Sequence, residues 1–175
     1  QAILTRKAVL ELSRLLSDSE EMAEVALGDN NMRMSVNGFT FTSKLVDGKF
    51  PDYERVLPVG GDKVVSGNRD DFKQAFVRTA ILSNDKYRGV RFVVENGVLT
   101  ITANNPEQEE AEEQVFVDYE GDILEVGFNV SYLLDVTHVI EAESMTLTMA
   151  DNNSSALIQD PTNNDSLYVV MPMRL

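Results

Sequence analysis

The sequence contains no cysteine, and His138 is its single histidine. The absence of cysteine excludes disulfides and thiolate metal sites, and it suits a reducing compartment. One histidine between apolar neighbours on a predicted helix does not supply the ligands of a zinc site, so we expect it on the helix surface. No apolar run approaches the roughly 18 residues of a membrane-spanning helix. No basic-then-apolar leader opens the chain, so no signal peptide is expected.

Sequence motifs of catalysis are also missing. Neither a Walker A loop nor a G-x-G-x-x-G fingerprint occurs. His138 has no neighbouring nucleophile that would suggest a Ser-His-Asp triad. The acidic run at residues 107–113 could suggest a hard-cation site, but it lacks the spaced Asp/Asn/Gly pattern of a calcium loop. We therefore predict no catalytic residue, no metal and no cofactor.

Basic residues are few and unevenly distributed. The chain has 15 Lys and Arg against 29 Asp and Glu, which gives a net charge of −14. Taken as a whole, this charge argues against nonspecific nucleic-acid binding. Most of the basic residues, however, lie on or directly after the first two predicted helices, whereas the acidic excess is concentrated at residues 107–113. Two interpretations stay open: basic helices that meet phosphates, or ordinary solvated helix faces.

The chain does contain a repeated supersecondary unit. Amphipathic helix patterns occur at residues 6–16, 69–82 and 131–140. Each is followed by strand-like runs and by a turn signal, at residues 29–31, 95–97 and 151–153. Alternating strand patterns occur at residues 39–44, 90–94, 98–103, 115–119, 123–128, 145–149, 156–159 and 168–171, and a loop is predicted at 160–165. A repeat of this period indicates a copied architecture. Few helices and many hairpin-linked strands predict an α+β fold, with helices on one face of antiparallel sheets.

Two further segments have unusual composition. Residues 50–61 carry two prolines and a glycine pair without sustained periodicity, which is typical of a domain boundary. One repeat unit precedes this segment and two follow it, so the part before it is expected to be half a domain. The chain ends in an apolar Met-Pro-Met segment. Because Pro172 ends a strand, we expect the last residues to leave the sheet, either as the end of a buried strand or as a binding surface.

Four segments together resemble one family. They are residues 42–58 (TSKLVDGKFPDYERVLP), 103–113 (ANNPEQEEAEE), 129–136 (NVSYLLDV) and 168–175 (YVVMPMRL). The chain resembles, over its whole length, the bacterial sliding clamps, which are the β subunits of DNA polymerase III. The resemblance implies the clamp fold, with residues 1–52 as the second half of the middle domain, 53–62 as a connector and 63–175 as the complete third domain. The first domain and the front half of the middle domain are then expected to be missing.

The resemblance also implies a function. Members of the family are non-catalytic processivity factors that form head-to-tail homodimeric rings around duplex DNA, independently of sequence. They tether the polymerase III α subunit, the clamp loader and other proteins with a clamp-binding motif. By this resemblance the protein is cytoplasmic and nucleoid-associated, with no membrane partner and no cofactor.

Three sets of site residues follow from the resemblance. The DNA-facing set is Arg6, Lys7, Arg14, Arg69, Lys73 and Arg78, and secondarily Lys86, Arg88 and Arg91. The peptide-binding pocket is Pro51, Arg55, Val56, Asn129, Tyr132, Ser155, Val169, Val170, Met171, Pro172, Met173, Arg174 and Leu175. The dimer interface is Ile81, Leu82, Glu107, Glu109, Glu110, Glu112 and Glu113. The family's T-D-G-H-R-L pocket wall does not occur in this sequence, so an incomplete pocket is expected.

Two other functions compete with this interpretation. A peptide-binding module without DNA encirclement would need only the connector and the C-terminal segment. A metal hydrolase built on the acidic cluster would need carboxylates that converge on a cavity, whereas the glutamates here crowd on one strand. Salt-dependent DNA retention by the intact subunit separates the clamp from the module, and metal-dependent turnover would be needed to support the hydrolase.

Overall fold

The structure, a computed structural model, describes residues 2–16 and 20–174, and for Asn164 the backbone alone. The chain divides into two compact units, Gln1–Asp52 and Tyr53–Leu175. Among the helices of the described ranges, none is long and apolar enough to cross a membrane.

The first unit is one helix on one small sheet. Its elements are α1 (Arg6–Leu16), β1 (Glu24–Leu27), β2 (Asn31–Val36) and β3 (Phe39–Lys44), and the antiparallel strands run in the order β1-β2-β3. Helix α1 begins after Thr5, whose hydroxyl accepts a hydrogen bond from the Ala8 amide at 3.2 Å. The strands β2 and β3 are joined through Asn37 and Gly38, which both have positive φ and so fit a tight hairpin turn.

Alternation along β2 builds the core of the first unit. Met32, Met34 and Val36 are buried, and the residues between them are exposed or half-buried. Partly buried Leu4 and Leu12, together with buried Ala8, cover this strand face. The core is therefore a single thin layer of side chains.

The second unit holds two helices and two four-stranded sheets. After a 3-10 helix (Tyr53–Arg55), its elements are β4 (Lys63–Asn68), α2 (Arg69–Ile81), β5 (Gly89–Glu95), β6 (Val98–Asn104), β7 (Glu110–Phe116), β8 (Leu124–Asn129), α3 (Val130–Val139), β9 (Ser144–Met149), β10 (Ala156–Asp160) and β11 (Asn163–Val170). The strand orders are β11-β10-β9-β4 and β7-β6-β5-β8, and all pairs are antiparallel. Two copies of a strand–helix–three-strand unit thus make this part of the chain.

A chain of aromatic rings connects helix α2 to one of the sheets. Phe72 and Phe76 on α2 lie 6.0 Å apart, Phe76 stacks on Phe92 at 5.6 Å, and Phe92 meets Phe128 edge-on at 5.3 Å. All four side chains are fully buried. Helices α2 and α3 pack against each other over this core, which gives the second unit a layer that α1 does not have in the first unit.

Short bridges connect the two sheets of the second unit. The backbones of Ser66 in β4 and Asp118, just after β7, exchange two hydrogen bonds of 3.1 and 2.7 Å. On the other side, the Met173 amide donates to the Gly127 carbonyl of β8 at 2.8 Å. Because β4, β7 and β8 are all edge strands, these bonds satisfy backbone groups that would otherwise lie open.

The α+β class with antiparallel sheets is confirmed, and α1 spans the predicted residues. Two local predictions were wrong, and three strands were missed. The strand expected at residues 115–119 is β7 at Glu110–Phe116, because an edge strand tolerates charged residues that hide its pattern. The loop expected at 160–165 is a hairpin, since the Asp160 carboxylate accepts bonds from the amide and hydroxyl of Thr162 and turns the chain within two residues. The missed strands are β1, β2 and β4.

Candidate nucleic-acid and partner interfaces

Helix α1 presents basic side chains on the side away from its core. Arg6 and Lys7 are exposed, whereas the adjacent Ala8 is buried. Arg14 lies in the last turn of the helix and forms an exposed ion pair with Glu11 at 3.2 Å. Exposed pairs of this kind hold little energy and give way easily to a stronger anion. All three predicted cations of α1 are therefore exposed to solvent.

The three cations predicted on α2 have different surroundings. The Arg69 side chain is mostly buried, and its Nε lies 3.2 Å from Asp70 in an ion pair without hydrogen-bond geometry. Lys73 is half-buried one turn further along the helix. Arg78 donates from Nε and Nη2 to the two carboxylate oxygens of Glu113 at 2.6 and 2.9 Å. The structure therefore does not give the α2 cations one common exposed face.

The secondary candidates after α2 are also engaged within the protein. Arg88 has a positive φ, and its Nη1 donates to the Ala80 carbonyl near the end of α2 at 2.9 Å. Arg91 pairs with Glu125 at 3.3 Å. Lys86 Nζ lies 5.2 Å from the centre of the Tyr87 ring. Arg88 is thus a helix-capping residue, and it is a poor candidate for a mobile phosphate contact.

An acidic edge strand and an apolar residue form a second surface. Within residues 2–16 and 20–174, strand β7 pairs with β6 alone, and Glu110 and Glu112 project from it into solvent. Ile81, the last residue of α2, is 73% exposed. A cavity of about 280 Å³ is lined by Ile81, Leu82, Glu107 and Glu109 among others. Asn105 orders this loop, because it donates to the Glu109 carboxylate at 2.6 Å and accepts from the Glu109 amide at 2.9 Å.

Glu113 differs from the other glutamates of this cluster. Its side chain is 25% exposed and faces α2. The hydrogen bond from Arg78 lowers the pKa of the Glu113 carboxyl below its usual value, with a smaller coulombic contribution from the same residue. The predicted interface glutamates therefore divide into an outward group and one inward residue.

The C-terminal segment lies against the β8–α3 corner. Strand β11 ends at Val170, and the bond from Met173 to Gly127 holds the segment two residues before Asn129. Asn129 caps α3 by accepting from the Ser131 amide at 2.9 Å, and it donates to the Tyr87 carbonyl at 3.2 Å. Tyr132, on the first turn of α3, is 58% exposed. The structure thus brings Asn129 and Tyr132 near the C-terminal segment.

The remaining pocket candidates have varied positions. Ser155 precedes Ala156, which pairs with Val170 across the β10–β11 ladder. Val169 is half-buried, Met171 is exposed, Pro172 and Met173 are half-buried, and Arg174 is exposed. Arg55 and Val56 lie in and just after the 3-10 helix. Pro51 belongs to the first unit, and Leu175 lies outside the described residues.

Comparison with known proteins assigns the family. The family model of the C-terminal domain of the DNA polymerase III beta subunit matches residues 54–174, and that of the central domain matches residues 1–52. The chain belongs to the bacterial sliding clamp family. A beta sliding clamp of Pseudomonas putida is 62% identical over the whole chain, and one of Escherichia coli K12 is 53% identical over 99% of it. The chain spans 48% and 47% of these two relatives, which is about half their length.

Solved structures agree with the family assignment. The DNA polymerase III subunit beta of Pseudomonas aeruginosa superposes on this chain with a TM-score of 0.97 at 60% identity. The match covers 100% of this chain and 48% of the Pseudomonas aeruginosa chain. A second structure of that protein, bound to griselimycin, has a TM-score of 0.94 and covers 99% of this chain with 47% of its own. The sliding clamp fold expected from the sequence is therefore confirmed.

Two features of this sliding clamp chain were not found from its sequence. One is the Arg78–Glu113 pair, which joins residues 35 positions apart and has no local signature. The other is Phe116, which is 86% exposed at the end of β7. If the bounds of β7 had been predicted correctly, its alternation would have placed Phe116 on the exposed face of an edge strand. A large exposed aromatic residue in such a position is a recognisable signal of a functional surface.

The described residues contain no group of three or more His, Cys, Asp or Glu arranged to hold a metal ion. Among them, His138 is exposed, and its Nδ1 lies 2.6 Å from the Leu134 carbonyl oxygen. Glu110 and Glu112 project from an edge strand, and Glu110 lines a different cavity from Glu107 and Glu109. Nothing in this part of the chain favours the metal-hydrolase interpretation.

Proposed function

We propose that the full-length protein is a subunit of a ring that encircles duplex DNA and tethers the replicative polymerase and other partners. The observation that carries this proposal is the match of the whole chain, at about 60% identity, to Pseudomonas sliding clamps. A ring raises the effective concentration of polymerase at its template, because a weak polymerase–DNA contact becomes intramolecular. In this proposal the protein performs no chemistry and acts in the cytoplasm at the nucleoid.

The exposed cations of α1 support a sequence-independent DNA surface. Arg6, Lys7 and Arg14 sit on a helix of a chain whose net charge is −14. Contacts to phosphates carry no base information, so such a surface can slide. The acidic remainder keeps DNA from the outer faces by repulsion. In the second unit, Lys73 and the partly buried Arg69 are further candidates for phosphate contacts.

Topological retention tests the ring. The full-length subunit, loaded by a clamp loader onto a nicked circular plasmid, should co-elute with the circle in gel filtration and be lost after the plasmid is cut to a linear form. A nonspecific DNA binder would be retained equally on both forms. Equal retention, or none on the circle, would contradict the proposal.

We further propose that the C-terminal segment forms part of a peptide-binding pocket. Its support is the cluster of Asn129, Tyr132 and residues 169–174 around one corner, and apolar residues with a few polar groups are the usual lining of such pockets. A clamp of the family has been solved with griselimycin bound. Arg55, Val56 and Ser155 of the second unit complete the proposed set, and Pro51 stays a prediction from the resemblance.

Fluorescence anisotropy tests this pocket. A labelled Gln-Leu-x-Leu-Phe-type peptide is titrated with the 175-residue chain and with a variant lacking residues 171–175, and a peptide with its apolar anchors replaced by alanine serves as the control. Saturable binding that is lost in the variant supports the pocket. If neither binds but the full-length subunit does, the missing T-D-G-H-R-L wall is essential. Failure of the full-length subunit as well would contradict the proposal.

The acidic edge strand is proposed as the surface for head-to-tail dimerisation. Unpaired strand edges favour pairing with another chain, and a protruding apolar residue strengthens such contacts. Ile81 and Leu82 provide the apolar part, and Glu107, Glu109, Glu110 and Glu112 the acidic part. Glu113, which the resemblance also assigned to this interface, faces α2 instead. In the full-length protein, Ile81→Asp should shift the dimer to monomer in analytical ultracentrifugation, and an unchanged dimer would contradict this assignment.

A peptide-binding module without DNA encirclement is the second candidate. It is supported by the position of Asn129 beside the C-terminal segment, because a pocket at that corner does not require a ring. Under this alternative the anisotropy experiment succeeds and the plasmid experiment fails. The two experiments therefore separate the candidates.

A further inference from the structure

Helix α2 and the edge strand β7 are joined by one bidentate ion pair. Arg78 Nε donates to Glu113 Oε1 at 2.6 Å, and Nη2 donates to Oε2 at 2.9 Å. A guanidinium that meets both oxygens of a carboxylate in this way is held in one orientation, since two parallel hydrogen bonds fix its plane. The pair raises the pKa of Arg78 and lowers the pKa of Glu113, and in each case their mutual hydrogen bond is the largest cause.

The position of Glu113 sets it apart from its neighbours in the sequence. Along β7, Glu110, Glu112 and Gln114 are exposed, whereas Ala111 and Glu113 are half-buried on the helix side. Strand alternation therefore points Glu113 toward α2 and its neighbour Glu112 away from it. Near this pair, Arg78, Gln74 and Phe116 help to line a cavity of about 310 Å³ between helix and strand.

We infer that Glu113 is a positioning residue that holds Arg78 against β7 and withholds it from DNA. The resemblance placed Arg78 among the phosphate contacts, together with Arg6. Both residues are exposed, but the geometry separates them, because Arg78 has its Nε and one terminal nitrogen committed to a carboxylate. We call the ion pair between Arg78 and Glu113 the clasp. The conclusion that Arg78 does not contact DNA rests on the proposed function, whereas the clasp itself does not.

A guanidinium-selective reagent tests the clasp in the 175-residue chain. Phenylglyoxal attacks the terminal nitrogens of accessible arginines, and mass spectrometry reports the extent at each position. Arg78 should react several-fold more slowly than Arg6 in the unsubstituted chain. Glu113→Gln, which keeps the shape but loses the charge, should raise the Arg78 rate several-fold. Glu112→Gln is the matched control, because it removes the same charge from the opposite face and should leave the Arg78 rate unchanged.

Two results would overturn the clasp: an Arg78 rate equal to that of Arg6 without substitution, or no change in Glu113→Gln. Circular dichroism checks that the variants are folded. A second measurement needs no variant, because a clasped Arg78 should give a resolved Nε–Hε resonance with slow solvent exchange in ¹⁵N NMR spectra. Fast exchange at that position would likewise contradict the proposal.

A short duplex added to the same reaction separates the clasp from DNA binding. DNA should slow modification of Arg6 and leave Arg78 unaffected in the unsubstituted chain, and it should slow modification of Arg78 as well in Glu113→Gln. Protection of Arg78 in the unsubstituted chain would overturn the inference. If DNA protects no arginine, the DNA surface proposed for this chain fails, and the clasp is judged by the reaction without DNA.

Discussion

The two compact units bury their apolar side chains to different extents. In the second unit, α2 packs on α3 above two sheets, and a continuous set of aromatic and aliphatic side chains fills the interior. In the first unit, one helix covers one three-stranded sheet, and the buried strand residues are Met32, Met34 and Val36. The repeated unit therefore gains most of its burial when it is paired with a second copy.

The surfaces of the two units reflect this difference. Every residue of β1 is exposed, and Val25, Leu27 and Phe39 each leave more than half of their side chain in water. In the second unit, the inward residues of β5 and β6 are almost completely buried. Small cores stabilise a fold only marginally, so we expect the first unit to unfold more easily than the second.

The largest expected effect is on the aromatic core of the second unit. Phe92 touches Phe76 and Phe128 and is fully buried, so Phe92→Ala should lower the free energy of unfolding by about 3–5 kcal/mol through lost burial and a cavity. Chemical denaturation monitored by circular dichroism measures the change. Phe116→Ala is the control, since an 86% exposed ring should contribute less than about 0.5 kcal/mol. Similar losses for both would contradict this account of the core.

A smaller effect is expected in the core of the first unit. Met34→Ala removes a buried side chain from a thin layer that can partly collapse, so the loss should lie near about 2 kcal/mol, the low end of the usual range. Hydrogen exchange should show faster opening of the β2 and β3 amides and unchanged protection of β5 and β6. Equal loss of protection in both units would show that they unfold together, and the contrast between them would then be wrong.

The residues that cap helices α2 and α3 should contribute less to stability than the core residues above. Asn68 accepts hydrogen bonds from the Asp70 and Asp71 amides at the start of α2, so Asn68→Ala should cost about 1 kcal/mol. Asn129→Ala should cost more, because this side chain caps α3 and also donates to the Tyr87 carbonyl. Thermal unfolding of the two variants gives the order, and a larger loss for Asn68→Ala would contradict it.

Sequence patterns predicted the helices and strands whose signals come from neighbouring residues in the chain. The helix at Arg6–Leu16 and the strand at Phe39–Lys44 were found with their bounds because their periodicity and flanking turns are clear. Strand β7 was misplaced because its glutamates look like a solvated run, and β4 was missed because it contains Gly67 and follows the proline-rich connector. These strands are specified by their pairing partners, which a single sequence does not display.

The features of the candidate site also differ in whether their sequence signal is local. Residue types identified basic α1, the acidic run and the apolar C-terminal segment, since each set is contiguous or periodic in the sequence. The different surroundings of Arg6 and Arg78 could not be predicted, because the partner of Arg78 lies 35 residues away on a strand with incorrect predicted bounds. The same is true of Met173, whose bond to Gly127 depends on how two sheets meet.

The smallest expected effect is a pH dependence at one turn. Asp151 accepts hydrogen bonds at 2.8 Å from the Asn153 and Ser154 amides, and these bonds, with that from Asn153 first, lower the pKa of its carboxyl. A carboxyl with a lowered pKa in the folded state stabilises the fold above its unfolded pKa of about 3.9, and this contribution is lost as the pH falls through the lower folded pKa.

Asp151→Asn should therefore lower the thermal midpoint slightly above about pH 4, where the contribution is present, and have no effect at lower pH, so that the midpoint declines less steeply in the acid range. The corresponding turn of the first unit is closed by a backbone bond from the Gly28 amide to the Asn31 carbonyl at 2.8 Å. Asp29→Asn in that turn removes the same charge and is the matched control. If both variants change the thermal midpoint in the acid range equally, the hydrogen bonds of the Asp151 carboxylate do not cause the pH dependence. Repulsion from the net charge of the protein would then be its cause.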